Sequence, residues 1–166
     1  GLASEYFAVA AEKVTPLPDN MTFNEGAMIE PLAVTVHAVK RAGDVTGQKI
    51  CVLGAGPIGI LLAQSAKALG AAETMITDVS DYRLELAKKC GVDHAVNTKT
   101  QDFGEALVAA FGPDKADVIY DCAGNDITIN QAIRCADDYV AQRKAGLEPH
   151  FKASSIGLNP DELDFW

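Results

Sequence analysis

No apolar run in this chain approaches the roughly 20 residues that a membrane-spanning helix needs, so a helical membrane protein is excluded. Positive charge is scarce: 14 Lys and Arg stand against 23 Asp and Glu, a formal net charge of −9. Nucleic acid or an anionic membrane surface would be repelled on average. No basic, apolar, small-residue leader opens the chain, which starts at Gly1 rather than Met, so that a preceding segment is expected. The cysteines, Cys51, Cys90, Cys122 and Cys135, make no CxxC pair and no zinc-finger spacing. Cys51 and Cys122 fall in apolar strand-like runs, where cysteine behaves as a small hydrophobe. That usage argues against a disulfide or a metal site built from these four and fits a reduced, cytoplasmic protein. Repeats and low-complexity segments are also missing. Hydrophobic content of 48% and charged content of 22% are those of an ordinary globular protein, and 166 residues suffice for one domain.

What the chain does carry is Ile50-Cys51-Val52-Leu53-Gly54-Ala55-Gly56-Pro57-Ile58-Gly59. A short buried strand runs into a glycine turn and then a helix, the order a dinucleotide pyrophosphate requires. Gly54 permits the tight turn, Gly56 lets the backbone approach the phosphates, and Gly59 lets the helix pack closely on the strand. The helix start offers unpaired N–H groups and the positive end of a dipole. Similar turns occur in α/β proteins that bind no dinucleotide, but here Asp78 ends the next apolar run about 20 residues on. A carboxylate there accepts hydrogen bonds from ribose hydroxyls and repels a 2′-phosphate, so NAD is expected rather than NADP.

The periodicity predicts alternating strands and helices. Strands are expected at about Lys49–Leu53, Thr74–Thr77, His94–Val96 and Asp117–Asp121, and helices at about Pro57–Leu69, from Ser80 as cap to Gly91, at Asp102–Phe111 and at Ile127–Cys135. This pattern demands an α/β fold, a doubly wound parallel sheet of Rossmann-like, NAD-binding type, incomplete at its C-terminal half.

Four ordered blocks make the chain resemble the medium-chain dehydrogenase/reductase superfamily, specifically its zinc-dependent sorbitol (polyol) dehydrogenase-like branch. They are Met28 to Ala38 with its Glu30-Pro31-Leu32-Ala33-Val34, the glycine loop, Thr77-Asp78-Val79-Ser80 with Arg83-Leu84, and Asp121-Cys122-Ala123-Gly124. The opening Gly1–Tyr6 resembles that family's closing strand of the catalytic domain. The resemblance covers about residues 1–136 and implies three regions: 1–36 as the tail of a GroES-like catalytic domain and linker, 37–138 as the cofactor-binding domain, and 139–166 unassigned.

It also implies roles. Gly54, Gly56, Pro57, Ile58 and Gly59 match the pyrophosphate loop, Asp78 the ribose acid, Cys122 and Ala123 the wall of the cofactor cleft, and Val34 a position near the nicotinamide. Arg83 matches a residue flanking the adenosine, although from the residues alone it equally suits a solvated helix face. Glu30 reads from its residues as a helix cap; the resemblance makes it an acid at the catalytic zinc, whose main ligands, with the substrate pocket, would precede residue 1. His37, within an apolar stretch, is expected to be a packed helix residue rather than a ligand. The expected partners are NAD and, in full-length relatives, a small polyol or secondary alcohol.

Three functions remain open: the cofactor-binding portion of an NAD-dependent polyol-type dehydrogenase that is not catalytic alone, a non-enzymatic NAD-binding or redox-sensing module, and a relic that keeps the fold without the ligand. The apolar strand at Asp117–Tyr120 would have an open outer edge. Residues Phe151, Ile156, Leu158, Leu163, Phe165 and Trp166 folding back over it, or a second copy in a homo-oligomer, are the two expected covers.

Overall fold

A computed structural model describes residues 4–134 and 152–153. The chain divides into two compact units, Gly1–Glu30 and Pro31–Trp166.

In the first unit, none of the described residues is buried. Its regular structure is one 3-10 turn, Ala11–Lys13, and the short helix α1, Phe23–Ala27. Thr22 and Glu25 form a reciprocal capping box on α1: the Glu25 N–H donates to Thr22 Oγ1 at 3.3 Å and the Thr22 N–H to Glu25 Oε2 at 2.8 Å. The backbone donor of Thr22, and then its hydroxyl, hold the Glu25 carboxyl below the usual range. The strand expected over Gly1–Tyr6 does not form at Ser4–Tyr6, and Gly1–Ala3 lie outside the described residues. A strand needs a neighbour to take its N–H and C=O groups, and none of the described strands pairs with this segment.

The second unit begins within helix α2, Ile29–Arg41. Its sheet consists of β1 (Lys49–Leu53), β2 (Glu73–Asp78), β3 (His94–Asn97), β4 (Val118–Asp121) and β5 (Lys152–Ala153), in the order β3-β2-β1-β4-β5 with every pair parallel. The connecting helices are α3 (Pro57–Ala68), α4 (Asp81–Lys89) and α5 (Phe103–Phe111); residues 126–134 form a further helix, α6. The predicted elements whose ends fall within the described residues agree with the sequence periodicity to within one or two residues; the C-terminal end of the helix expected at Ile127–Cys135 lies outside them.

Side-chain alternation along β1 explains why both faces must be covered. Ile50 and Val52 point into one core with Val39, Leu62, Ile76, Leu84, Val118 and Tyr120. Cys51 and Leu53 point into the other, with Met75, Phe103, Leu107, Phe111 and Ile119. Burying each such aliphatic side chain contributes about 1.5–3 kcal/mol. At the N-terminal ends of the strands, Asp117 fixes the β1–β4 register: its Oδ2 accepts the Lys49 N–H at 2.7 Å, and its N–H donates to the Lys49 carbonyl at 2.9 Å.

Two local expectations are corrected. Ser80 occupies the N-cap of α4, but its side chain makes no capping hydrogen bond; its backbone N–H is held by Asp78 Oδ1 at 2.9 Å. His37 is exposed rather than packed. The buried residues of α2 are Thr35, Ala38 and Val39, and a 3.6-residue period turns position 37 away from 35 and 39. The outer edge of β4 is not open along its whole length, since Lys152–Ala153 pairs with Val118–Ile119. None of the tail residues expected to cover it is Lys152 or Ala153; all of them lie outside the described residues, as does Cys135.

Asp93 anchors the end of β2 that faces away from the glycine loop. Its Oδ2 accepts from Lys67 Nζ at 2.7 Å, the Thr74 N–H at 2.8 Å and the Thr74 hydroxyl at 3.0 Å. Partial burial pushes its pKa up, but the Lys67 and Thr74 hydrogen bonds outweigh it and the carboxyl sits below its ordinary value of 3.8. A carboxyl with a depressed folded-state pKa stabilises the fold above the unfolded value, and that contribution disappears as pH falls through the folded value. Urea titrations should therefore show wild-type stability falling below about pH 4, with Asp93→Asn less stable at neutral pH and losing less on acidification.

Candidate cofactor cleft

The sheet reverses direction of winding at β1, which has β2 on one side and β4 on the other. In open parallel sheets, ligands bind beyond the strand C-termini at this switch point. Here the residues following β1, β2 and β4 meet at that edge. The Gly54 N–H donates to the Thr77 carbonyl and the Cys122 N–H to the Leu53 carbonyl, both at 2.8 Å, so the three chain segments are tied before they diverge into loops.

Each loop glycine has a different physical requirement. Gly54 has φ +101°, and a Cβ there would lie 3.1 Å from the Ala123 backbone nitrogen and Cβ, so a side chain would be both strained and crowded. At Gly59 an added Cβ would fall within the Gly54 carbonyl oxygen and reach Val52. Gly56 has an ordinary extended backbone, φ −72° and ψ 178°, and a Cβ on it would meet nothing within 4 Å. Neither conformation nor packing demands glycine at position 56. It opens instead onto free space beside the start of α3.

That helix start suits an anion. Gly56 is the N-cap without a side-chain capping bond, and Pro57 is the first helical residue. Proline has no N–H, and the next residues, Ile58 and Gly59, have no intrahelical acceptor for theirs. The N–H groups and the helix dipole there favour a diphosphate.

Asp78 closes the other side. Its carboxylate is almost fully buried, 6% exposed, and already engaged. Oδ2 accepts the Ala55 N–H at 2.8 Å, and Oδ1 accepts those of Val79 at 2.8 Å and Ser80 at 2.9 Å. The Arg83 guanidinium, half-exposed, stands 3.6 Å from Oδ2. The third loop holds two residues that sequence reasoning missed as organisers. Asp121 Oδ1 accepts from Ala123 N–H at 3.0 Å and Gly124 N–H at 3.1 Å. Asn125 Oδ1 accepts from Ile127 N–H at 3.0 Å and Thr128 N–H at 3.2 Å, capping α6. An acid followed by small residues, and Asn immediately before an isoleucine-rich helix, were the available signals. Cys122 lies between these loops; burial first, and the Asp121 charge second, push its thiol up to about 12, so it remains protonated and is no nucleophile.

Gly54, Gly56, Pro57, Ile58, Gly59, Asp78, Arg83, Cys122 and Ala123 thus gather at one sheet edge. Val34 lies on α2, 41% exposed. Glu30 belongs to the first unit, exposed in the first turn of α2 rather than capping it. Among the described residues no group of three or more His, Cys, Asp or Glu could hold a metal ion. A zinc site takes at least three protein ligands, so no complete ligand set stands among the described residues. The residues of the cleft fit a dinucleotide: the space over Gly56 is the cradle that a Cβ would fill. No helix among the described residues is long and apolar enough to cross a membrane.

The zinc-binding dehydrogenase family profile matches residues 57–139. Sorbitol dehydrogenase of Bos taurus is 43% identical over 120 residues, covering 70% of this chain and 33% of the bovine enzyme. D-xylulose reductase of Saccharomyces cerevisiae is 36% identical over 169 residues, covering 99% of this chain and 44% of the yeast enzyme. That similarity extends past residue 136, into the tail that the sequence reading left unassigned. Among solved structures, galactitol-1-phosphate dehydrogenase from Escherichia coli superposes with a TM-score of 0.72 at 31% identity, over 80% of this chain and 38% of that one. The chain therefore spans between a third and a half of the length of these relatives.

Proposed function

The chain belongs to the zinc-dependent medium-chain dehydrogenase family, in its sorbitol dehydrogenase-like branch, and from that premise we propose that it is the part that holds NAD in a polyol or secondary-alcohol dehydrogenase. The observation that carries this reading is the open face of Gly56 between an uncapped helix start and the buried Asp78. Gly54, Gly56 and the N–H groups of Ile58 and Gly59 would hold the pyrophosphate. Asp78 would face the adenosine ribose, with Arg83 beside the adenine end. Cys122 and Ala123 would line the cleft, and Val34 would stand toward the nicotinamide.

The family uses NAD or NADP. Here the buried Asp78 charge favours the ribose diol over a 2′-phosphate, whose approach it would oppose through Coulomb repulsion. Bound NAD supplies the hydride acceptor for oxidation of a carbinol carbon; this chain's residues bind and orient it. On this reading the chain's task is to bind and orient NAD, and no step on the alcohol itself is assigned to its residues.

Calorimetric titration tests the proposal. Saturable NAD⁺ binding, at least about tenfold tighter than NADP⁺, is expected, equivalent to about 1.4 kcal/mol, with no NADH formed from sorbitol or xylitol by this chain alone. Equal affinity for the two would defeat the NAD assignment, and binding of neither would leave the family resemblance as ancestry. NADH formation from either polyol would show that the chain is a complete enzyme.

A further inference from the structure

We infer that Asp78 is a positioning residue for the glycine loop: its carboxylate clasps the Ala55 N–H and so holds Gly56 in the shape that receives a diphosphate. The inference rests on the cofactor reading above and adds to it a task that does not involve the ribose.

The parallel ladder leads to this contact. Leu53 is in register with Thr77, and the Gly54 N–H donates to the Thr77 carbonyl at 2.8 Å. One residue further, β1 has left the ladder, and the Asp78 side chain takes over from the backbone by accepting the Ala55 N–H at 2.8 Å. The carboxylate cannot swing away freely, because Oδ1 is held by both the Val79 and Ser80 N–H groups. Ala55 is 1% exposed, so water does not easily replace the lost acceptor, and a buried N–H without a partner is disfavoured. Gly56 follows Ala55 directly, so a shift of Ala55 carries the open face of the cradle with it. A carboxylate oxygen has two lone pairs. Both on Oδ1 are used, and Oδ2 retains one for a ribose hydroxyl. The acid is thus committed to the loop before any ligand arrives.

The test separates diol recognition from loop positioning. The 166-residue chain and its Asp78→Ala variant are titrated with ADP and with 2′,3′-dideoxy-ADP, which keeps the diphosphate and lacks the diol. The clasp predicts that the variant weakens both ligands by about tenfold or more. It also predicts that the Ala55 amide, protected from hydrogen exchange in the ligand-free wild type, exchanges freely in the variant. A loss confined to ADP, with dideoxy-ADP unaffected, overturns the inference and leaves Asp78 only its ribose role. If the wild type binds neither ligand, the cofactor reading fails. If the wild type fails to bind or the alanine variant fails to fold, Ala55 exchange in the ligand-free wild type decides the clasp: a protected amide supports it and an unprotected one overturns it.

Discussion

Gly59→Ala is expected to lower the melting temperature of this chain by roughly 5–10 °C, the largest stability loss of any glycine substitution in the loop. Helix propensity alone argues the other way, since alanine in a helix is favoured over glycine by about 1 kcal/mol. Sterics decide it. The new methyl would overlap the Gly54 carbonyl oxygen and press on Val52, both rigid parts of β1 and its turn, so α3 must move off the sheet. Overpacking of this kind costs about 1–3 kcal/mol and occasionally more, and for a chain of this size each kcal/mol shifts the midpoint by about 2–4 °C. Differential scanning calorimetry reads the shift directly. An unchanged midpoint would mean that the close approach of α3 to β1 is not a constraint of the folded state.

Gly56→Ala should show the opposite division. The backbone at position 56 is already in a region open to any residue, and the added methyl meets nothing within 4 Å. Stability should hold, or rise by about 0.4–1 kcal/mol through a less flexible unfolded chain. Affinity for NAD⁺ should nevertheless fall by at least about tenfold, close to 1.4 kcal/mol, because the methyl stands where the pyrophosphate must approach the backbone. Thermal unfolding and calorimetric titration of the same sample check both halves. A variant that binds NAD⁺ as the wild type does would remove the principal support for the diphosphate cradle. The pair matters because two glycines three residues apart are then distinguished by function: Gly59 serves the fold and Gly56 the ligand.

Motif and fold were legible in the residues because their causes are local. The strand at Lys49–Leu53, the turn at Gly54, Pro57 at the first helical position and the helix to Ala68 follow from neighbours within about four positions. His37 was misplaced for the converse reason. Its sequence neighbours are apolar, but a helix distributes neighbours around its circumference, and Thr35, Ala38 and Val39 took the inward side. Ser80 takes the N-cap position that its residue type favours, but its hydroxyl makes no capping bond, and its backbone N–H goes to Asp78, a contact that no periodicity announces.

By itself, the sequence determined the order of strands and helices, the placement of the glycine loop between β1 and α3, the acid at the end of β2 and the family to which the chain belongs. These are recorded in residue type and spacing, where a backbone conformation or a hydrophobic period is set over a few positions. Only the tertiary structure decided that Asp78 reaches Ala55, that a methyl at Gly56 would meet open space while one at Gly59 would strike the Gly54 carbonyl, and that Lys152–Ala153 lies beside β4. Each of the contacts depends on segments separated by between 5 and 34 positions, and the open face depends on nothing else filling it. Parallel pairing and helix packing bring these together or keep them apart, and no spacing within one segment encodes the distance between two.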